Sequence, residues 1–142
     1  MVKVSRNTLR PSARSRFNSM STVLIVDDSS ALREMVAGLL INAGMTILEA
    51  KDGAEAQKKM EASPPDLVVC DIVMPEMNGY ELTRWIKSNP KTKDVPVVIC
   101  SSKGEEFDRY WGMKQGADAY IAKPFRPNEM VETVKQLLRS QG

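Results

Sequence analysis

The sequence predicts a doubly wound α/β fold in which five parallel strands form one sheet covered by five helices. Short apolar runs alternate along the chain with segments whose apolar residues recur at helical spacing, an order typical of this fold class. The central run, residues 66–71, is apolar between its two terminal aspartates and is flanked by prolines, as expected for a strand buried on both faces. The chain is therefore predicted to build a parallel sheet.

The order of the elements follows from these runs and from the signals that end them. The predicted strands cover residues 22–26, 45–50, 66–71, 95–100 and 119–122. The predicted helices cover residues 30–43, 53–62, 79–88, 105–115 and a last segment from about 127 onward. Ser29 and Ser30 offer an N-cap to the first helix. Gly44 and Gly116 end two helices, and Pro127 suits a first helical turn. Right-handed crossovers then place the carboxyl ends of all strands at one edge.

Composition predicts one ordinary globular domain. The 142 residues are 42% apolar and 27% charged, which suits a single hydrophobic core. No apolar run is long enough to cross a bilayer, and the first twenty residues contain no segment resembling a signal peptide. We therefore expect a cytoplasmic protein without a membrane span.

Charge divides the chain into a tail and a domain. Residues 1–20 carry five cations and no acid, and because the whole chain has a net charge of +2, the remainder carries −3. We interpret residues 1–20 as a disordered basic leader and residues 21–142 as the folded domain, with no nucleic acid partner expected. Contact of the tail with nucleic acid or anionic lipid is the alternative.

The chain contains two cysteines and no histidine. Histidine-based acid/base catalysis and histidine metal ligation within this chain are therefore excluded. Cys70 and Cys100 lie in apolar runs without metal-binding spacing, which favours small core residues. A disulfide between them is the minor alternative if their strands are neighbours.

Polar residues follow four of the predicted strands and should meet at the shared edge. Asp27 and Asp28 follow the first strand and Asp71 ends the third, so three carboxylates would lie together and favour a hard divalent cation such as Mg²⁺. Ser101 and Lys123, which follow the fourth and fifth strands, add a hydroxyl and an ammonium. Such a set suits phosphoryl transfer to a carboxylate, and the central Asp71 is the predicted nucleophile.

The motifs at and beside these strand ends resemble those of a known family. In chain order they are Val26-Asp27-Asp28-Ser29, Asp71-Ile72-Val73-Met74-Pro75 with Asn78-Gly79, Ser101, Tyr120 and Lys123-Pro124-Phe125. Together they resemble the receiver domain of two-component response regulators, which has a flavodoxin-like, CheY-like fold, and in particular its single-domain chemotaxis type. The resemblance covers about residues 21 to 140 in the family's order and approximate spacing.

The resemblance implies a role for each of these positions. Asp71 would be the phosphoacceptor, while Ser101 and Lys123 would contact the phosphoryl group. The bond between Lys123 and Pro124 would be cis. The implied Mg²⁺ ligands are Asp27, Asp28, Asp71 and the main-chain carbonyl of Val73. Ser101 and Tyr120 would form the switch pair, in which Tyr120 rotates after Ser101 moves toward the phosphoryl group. The implied output surface is the face formed by the fourth helix, fifth strand and fifth helix.

The predicted function is a phosphorylation-switched response regulator and not an enzyme, since it would catalyse only its own phosphorylation and dephosphorylation. A separate histidine kinase or its phosphotransfer domain would donate the phosphoryl group, and a downstream effector protein would bind the output surface, in chemotaxis or pilus-based motility. We expect no attached DNA-binding effector. The alternatives are a phosphate sink or relay for a shared kinase, and an aspartyl-phosphate phosphatase of the haloacid-dehalogenase type. The last needs an acid two residues past the nucleophile, where Val73 stands.

Overall fold

The structure is a computed structural model that describes residues 21–141. The leader predicted for residues 1–20 lies outside the described residues. Over residues 21–141, no helix combines the length and the apolar character needed to span a membrane.

Five strands and five helices alternate along the described chain, as predicted. The strands are β1 (Thr22–Val26), β2 (Thr46–Ala50), β3 (Leu67–Cys70), β4 (Val97–Ser101) and β5 (Ala119–Ala122). The helices are α1 (Ser30–Asn42), α2 (Gly53–Ala62), α3 (Gly79–Ser88), α4 (Glu106–Lys114) and α5 (Pro127–Gln141). Side-chain caps begin several of these helices. Ser29 accepts a hydrogen bond from the main chain of α1, and Asn78 and Glu81 form a capping box on α3.

The sheet is fully parallel with the strand order β2-β1-β3-β4-β5, so the prediction of a doubly wound fold is confirmed. The chain moves outward from β1 to β2 and then returns to the other side of β1 to form β3. This reversal opens a crevice at the carboxyl ends of β1 and β3, where such folds bind ligands. Val26 is paired with Cys70 at the end of this ladder, and the Asp71 main-chain N–H donates to the Val26 carbonyl at 3.0 Å. Asp27 and Asp71 therefore leave the sheet side by side.

Alternate residues of the central strands pack on opposite faces of the sheet. One face is covered by α2, α3 and α4, and its buried cluster includes Leu24, Val68 and Cys70. The other is covered by α1 and α5, and its cluster includes Ile25 and Cys100. The disulfide alternative was wrong, because both thiols are free and their side chains pack on opposite faces. Burial raises the pKa of each thiol to about 12, as expected for inert core residues.

The fourth strand differs most from its predicted bounds. The fourth strand was predicted over residues 95–100, but β4 begins at Val97, after Pro96, which has no N–H to donate to a neighbouring strand. At its other end β4 extends to Ser101, whose carbonyl accepts a hydrogen bond from the Lys123 N–H at 2.9 Å. Ser101 is therefore a buried strand residue, not the first residue of a loop.

Candidate functional site

Three carboxylates meet at the carboxyl edge of β1 and β3. Asp27, Asp28 and Asp71 each offer one oxygen atom, and these atoms lie within 4.8 Å of one another. Asp27 is buried, Asp71 is partly buried and Asp28 is exposed, so the cluster has a protein side and a solvent side. The convergence predicted from the strand ends is thus present. The roles of these residues remain predictions.

Asp27 is held by contacts from several parts of the chain. Its main-chain N–H donates to the Ala50 carbonyl at 3.1 Å, and one carboxylate oxygen accepts the Ser29 N–H at 2.9 Å. The second carboxylate oxygen accepts a hydrogen bond from the Lys123 ammonium at 3.1 Å. These contacts fix the buried carboxylate with one oxygen turned toward the lysine.

Asp71 is oriented by its neighbours at the end of β3. Its Oδ1 accepts the Ile72 N–H at 2.7 Å, which leaves Oδ2 facing Lys123 at an N–O distance of 3.8 Å. The start of α3 packs tightly against this turn, since a Cβ on Gly79 would lie 2.1 Å from the Asp71 carbonyl oxygen. Only glycine at this position lets the helix approach the main chain of Asp71 so closely.

The protonation equilibrium of Asp71 is shifted by its surroundings. Burial raises the pKa of the carboxyl group, and the nearby Asp27 charge raises it further. The Lys123 ammonium lowers this pKa, as do hydrogen bonds from the Ile72 N–H and the Ser101 hydroxyl. Burial outweighs these opposing contributions, so the pKa of Asp71 lies above its ordinary value of about 3.8. An ionised Asp71 therefore costs folding free energy in the metal-free protein.

We expect Asp71→Asn to stabilise the metal-free protein at pH 7.5. An acid whose folded pKa is raised stabilises the fold below its unfolded pKa and loses that contribution as pH rises through its folded pKa. The neutral amide avoids this loss, so the increase in the free energy of unfolding over wild type should become smaller as pH falls toward 4. Urea unfolding of both proteins in EDTA across this range measures the difference. An Asn variant that is less stable at pH 7.5, or a gain that is constant with pH, would contradict the expectation.

Lys123 joins β5 to the acidic cluster. Its ammonium lies 3.1 Å from the Asp27 Oδ2 and 3.8 Å from the Asp71 Oδ2, and it bridges the two carboxylates. Its main chain is anchored to β4 through the Ser101 carbonyl, and the peptide bond to Pro124 is cis, as the resemblance implied. Lys123 is therefore part of the acidic cluster and not a solvated surface lysine.

The predicted switch pair is connected through the loop that follows β4. The Ser101 hydroxyl accepts the Lys103 N–H at 3.2 Å, and the Tyr120 hydroxyl donates to the Lys103 carbonyl. The Arg109 guanidinium lies over the Tyr120 ring, 5.3 Å from its centroid, and Gly112 gives the ring room against α4. Burial, followed by the nearby Tyr80 and Asp108, raises the pKa of Tyr120 to about 12. The hydroxyl therefore keeps its proton at neutral pH.

Val73 lies in the loop between β3 and α3, two residues past Asp71, with a side chain that is 55% exposed. The use of the Val73 main-chain carbonyl as a ligand stays a prediction.

The residues of the cluster fit Mg²⁺. Three carboxylates supply the hard oxygen ligands that this ion prefers, and their spacing within 4.8 Å allows one ion to contact all three. The exposed Asp28 leaves one side open to water, and Mg²⁺ usually retains several water ligands. The raised pKa of Asp71 reflects burial, and after it repulsion from Asp27, and a bound cation would offset both.

Sequence reasoning missed two charged residues beside the cluster. Arg33, the fourth residue of α1, reaches the Asp27 main chain, and Glu49 at the end of β2 pairs with Arg33. The sequence position of Arg33 was a signal for such a contact. A cation near a helix N-terminus interacts unfavourably with the helix dipole, so a nearby acceptor is expected to compensate it. Glu49 offered no signal, since its partner is distant in sequence.

A cluster of exposed aromatic residues lies on α4. Phe107, Tyr110 and Trp111 are between 41% and 67% exposed, and the Trp111 ring meets both others edge to face at centroid distances of 6.2 and 6.1 Å. Their exposure shows that packing within the described domain does not cover them.

Comparisons with known proteins agree with this geometry. The family model described as "Response regulator receiver domain" matches residues 23–135. The phosphate regulon transcriptional regulatory protein PhoB of Pseudomonas aeruginosa is 41% identical over 121 residues, which are 85% of this chain and 53% of PhoB. Protein PilH of the same organism is 34% identical over 119 residues, 84% of this chain and 98% of PilH. The crystal structure of the chemotaxis response regulator CheY4 of Vibrio cholerae superposes with a TM-score of 0.78 at 30% identity, over 82% of this chain and 98% of CheY4.

These relatives differ in how much of their length is matched. The chain spans about half the length of PhoB and nearly all of PilH and CheY4.

Proposed function

The chain belongs to the family of response regulator receiver domains of two-component systems, and from this premise we propose that it is a switch that accepts a phosphoryl group on Asp71. One observation carries the proposal. Asp71 turns the carboxylate oxygen that does not accept the Ile72 N–H toward Lys123, in the middle of a three-carboxylate cluster that fits Mg²⁺. This is the environment that phosphoryl transfer to a carboxylate requires.

The chemistry uses the two oxygens of Asp71 differently. Oδ1 is occupied by the Ile72 N–H, so Oδ2 is the nucleophile that attacks the phosphorus of a phosphohistidine on the kinase. A P–O bond to Oδ2 forms while the P–N bond breaks, and the histidine nitrogen leaves with the electron pair. Lys123 is placed to neutralise a phosphoryl oxygen, and the Ser101 hydroxyl to donate to another. Bound Mg²⁺ would supply further charge neutralisation.

Phosphorylation would be transmitted through the loop that connects the switch pair. If the Ser101 hydroxyl turns toward the phosphoryl group, the Lys103 N–H loses its acceptor, and Lys103 also holds the Tyr120 hydroxyl. A shift of this one loop residue would release Tyr120 from its present contact. The face formed by α4, β5 and α5 would then change shape and bind the effector.

The protein would act in the cytoplasm as a switch and not as an enzyme. Val73 occupies the position where an aspartyl-phosphate phosphatase of the haloacid-dehalogenase type needs an acid, and its apolar side chain offers no proton. We assign the switch to a chemotaxis or pilus-based motility system. The alternative, which uses the same chemistry, is a phosphate sink or relay for a shared kinase. Sustained turnover of generic phosphomonoesters would contradict this assignment.

Acetyl phosphate with Mg²⁺ tests the proposed function directly. Intact-mass spectrometry should show one added phosphoryl group, and addition of EDTA should prevent its appearance, because the cluster needs a cation. A protein whose mass is unchanged under these conditions, and which also binds no beryllofluoride, would refute the proposal.

The aromatic cluster on α4 is the expected anchor for the effector. Exposed Trp and Tyr side chains commonly dominate interface energies, so Trp111→Ala should reduce capture of the effector by beryllofluoride-activated protein at least about tenfold. Ile41→Ala, which removes an exposed apolar side chain from α1, is the matched control and should leave capture unchanged. Equal capture by wild type and the Trp111 variant would place the effector elsewhere.

A further inference from the structure

Arg33 connects α1 to the main chain of the acidic cluster. Its Nη1 donates to the Asp27 main-chain carbonyl at 2.6 Å, and its Nε donates to the Glu49 Oε1 at 3.0 Å. The Arg33 side chain is only 17% exposed, so the guanidinium is held between these two acceptors. A planar guanidinium can satisfy both acceptors at once because its N–H groups point in fixed, divergent directions.

The carbonyl that Arg33 holds belongs to the peptide bond between Asp27 and Asp28. Orienting this peptide sets where both Cα atoms lie and therefore limits the space that both carboxylates can reach. Asp28 depends most on this, since no residue within the described part of the chain donates a hydrogen bond to its exposed carboxylate. Asp27 has side-chain contacts of its own with Ser29 and Lys123.

The end of β2 supports the Asp27 main chain from two directions. The Ala50 carbonyl accepts the Asp27 N–H at 3.1 Å, and the preceding residue, Glu49, orients the Arg33 that binds the Asp27 carbonyl. The main chain of Glu49 is itself bound by the Lys59 ammonium from α2. The loop that carries two of the three carboxylates is therefore clamped to an edge strand.

We propose that Arg33 is a positioning residue for the divalent-cation site, and that Glu49 holds Arg33 in place. The inference rests on the proposed function, because it concerns the Mg²⁺ site of that switch. Arg33 does not touch the cation site itself. It fixes the peptide from which the Asp27 and Asp28 carboxylates project.

The positioning role of Arg33 and the effect of its charge can be told apart, because their loss would change the Mg²⁺ affinity in opposite directions. A guanidinium beside a cation site repels the cation, so removing its charge alone would tighten Mg²⁺ binding. Loss of the clamp predicts the opposite, since the Asp28 carboxylate would no longer be preorganised. Outer residues that orient metal ligands typically contribute tenfold to a hundredfold in affinity.

Calorimetric titration of Mg²⁺ into the metal-free protein, at a temperature where circular dichroism shows every variant folded, tests the proposal. We expect Arg33→Met to raise the Kd for Mg²⁺ about tenfold. Arg33→Lys, whose single ammonium reaches one acceptor but not both, should give an intermediate Kd. Glu49→Gln should raise the Kd about threefold, because a neutral amide holds Arg33 less firmly. Arg84→Met is the matched control, since Arg84 donates through Nε to Gln115 on the protein surface, and it should leave the Kd unchanged.

Each result distinguishes this inference from the proposed function. If wild type binds Mg²⁺ and Arg33→Met binds it equally or more tightly, the positioning role is wrong and the switch stands. If Arg33→Met lowers the melting temperature without changing the Kd, Arg33 is only structural and the inference is again overturned. If wild type binds no Mg²⁺, the proposed function fails and this inference fails with it.

Discussion

Asp71→Asn is expected to abolish phosphorylation of the protein by acetyl phosphate. The amide has the shape of the carboxylate and can still accept the Ile72 N–H through its oxygen, but its nitrogen is not a nucleophile for phosphorus. The rate of phosphoryl incorporation should fall at least about 1,000-fold, as the rate of an enzyme does when its nucleophile is removed. Intact-mass spectrometry over a time course measures the loss.

The control for this variant is Asp94→Asn, which removes an exposed carboxylate outside the cluster and should label like wild type. Urea unfolding of Asp71→Asn at pH 7.5, where a higher stability than wild type is expected, checks that lost labelling does not come from unfolding. Undiminished labelling of Asp71→Asn would remove Asp71 as the acceptor and point to another carboxylate of the cluster.

Lys123→Met is expected to slow phosphorylation about 100-fold, while Mg²⁺ binding is retained or strengthened. Lys123 is the ammonium that bridges the Asp27 and Asp71 carboxylates, and it is placed to neutralise the charge of the incoming phosphoryl group. Methionine fills similar volume without the charge. Because the lysine repels a cation at the same site, its removal should not weaken Mg²⁺ binding.

Two measurements on Lys123→Met separate these effects. Acetyl phosphate labelling gives the rate, and calorimetry gives the Kd for Mg²⁺. Lys123→Arg keeps the charge and should recover part of the rate, although the wider guanidinium fits the space between the carboxylates less well. A Lys123→Met variant that binds Mg²⁺ and labels at the wild-type rate would show that Lys123 does not assist the transfer.

The site could be predicted to the extent that it depends on strand ends. Asp27, Asp71 and Lys123 each follow an apolar run, and in a parallel sheet all such positions share one edge whatever the packing of the helices. Their convergence therefore followed from local pattern and topology. The same argument placed Ser101 at this edge, but it could not tell that Ser101 is the last residue of β4 and fully buried.

Contacts between secondary-structure elements could not be predicted from local pattern and topology. The separation of Cys70 and Cys100 depends on the register of β3 against β4, which places neighbouring thiols on opposite faces. The Arg33 clamp requires α1 to pack beside the end of β2, so that a helix residue and a residue sixteen positions later meet. Neither contact leaves a periodic trace in the sequence.

The amino-acid sequence by itself determined the fold class, the identity of the acidic edge and the candidate acceptor Asp71, because hydrophobic periodicity and strand-terminal residues are local properties of the chain. Only the tertiary structure decided which oxygen of Asp71 faces Lys123, how the pKa of Asp71 is shifted, which aromatic residues of α4 are exposed and how Arg33 holds the Asp27 carbonyl. These properties depend on distances of a few ångströms between residues far apart in sequence. Such distances exist only after the helices have packed on the sheet.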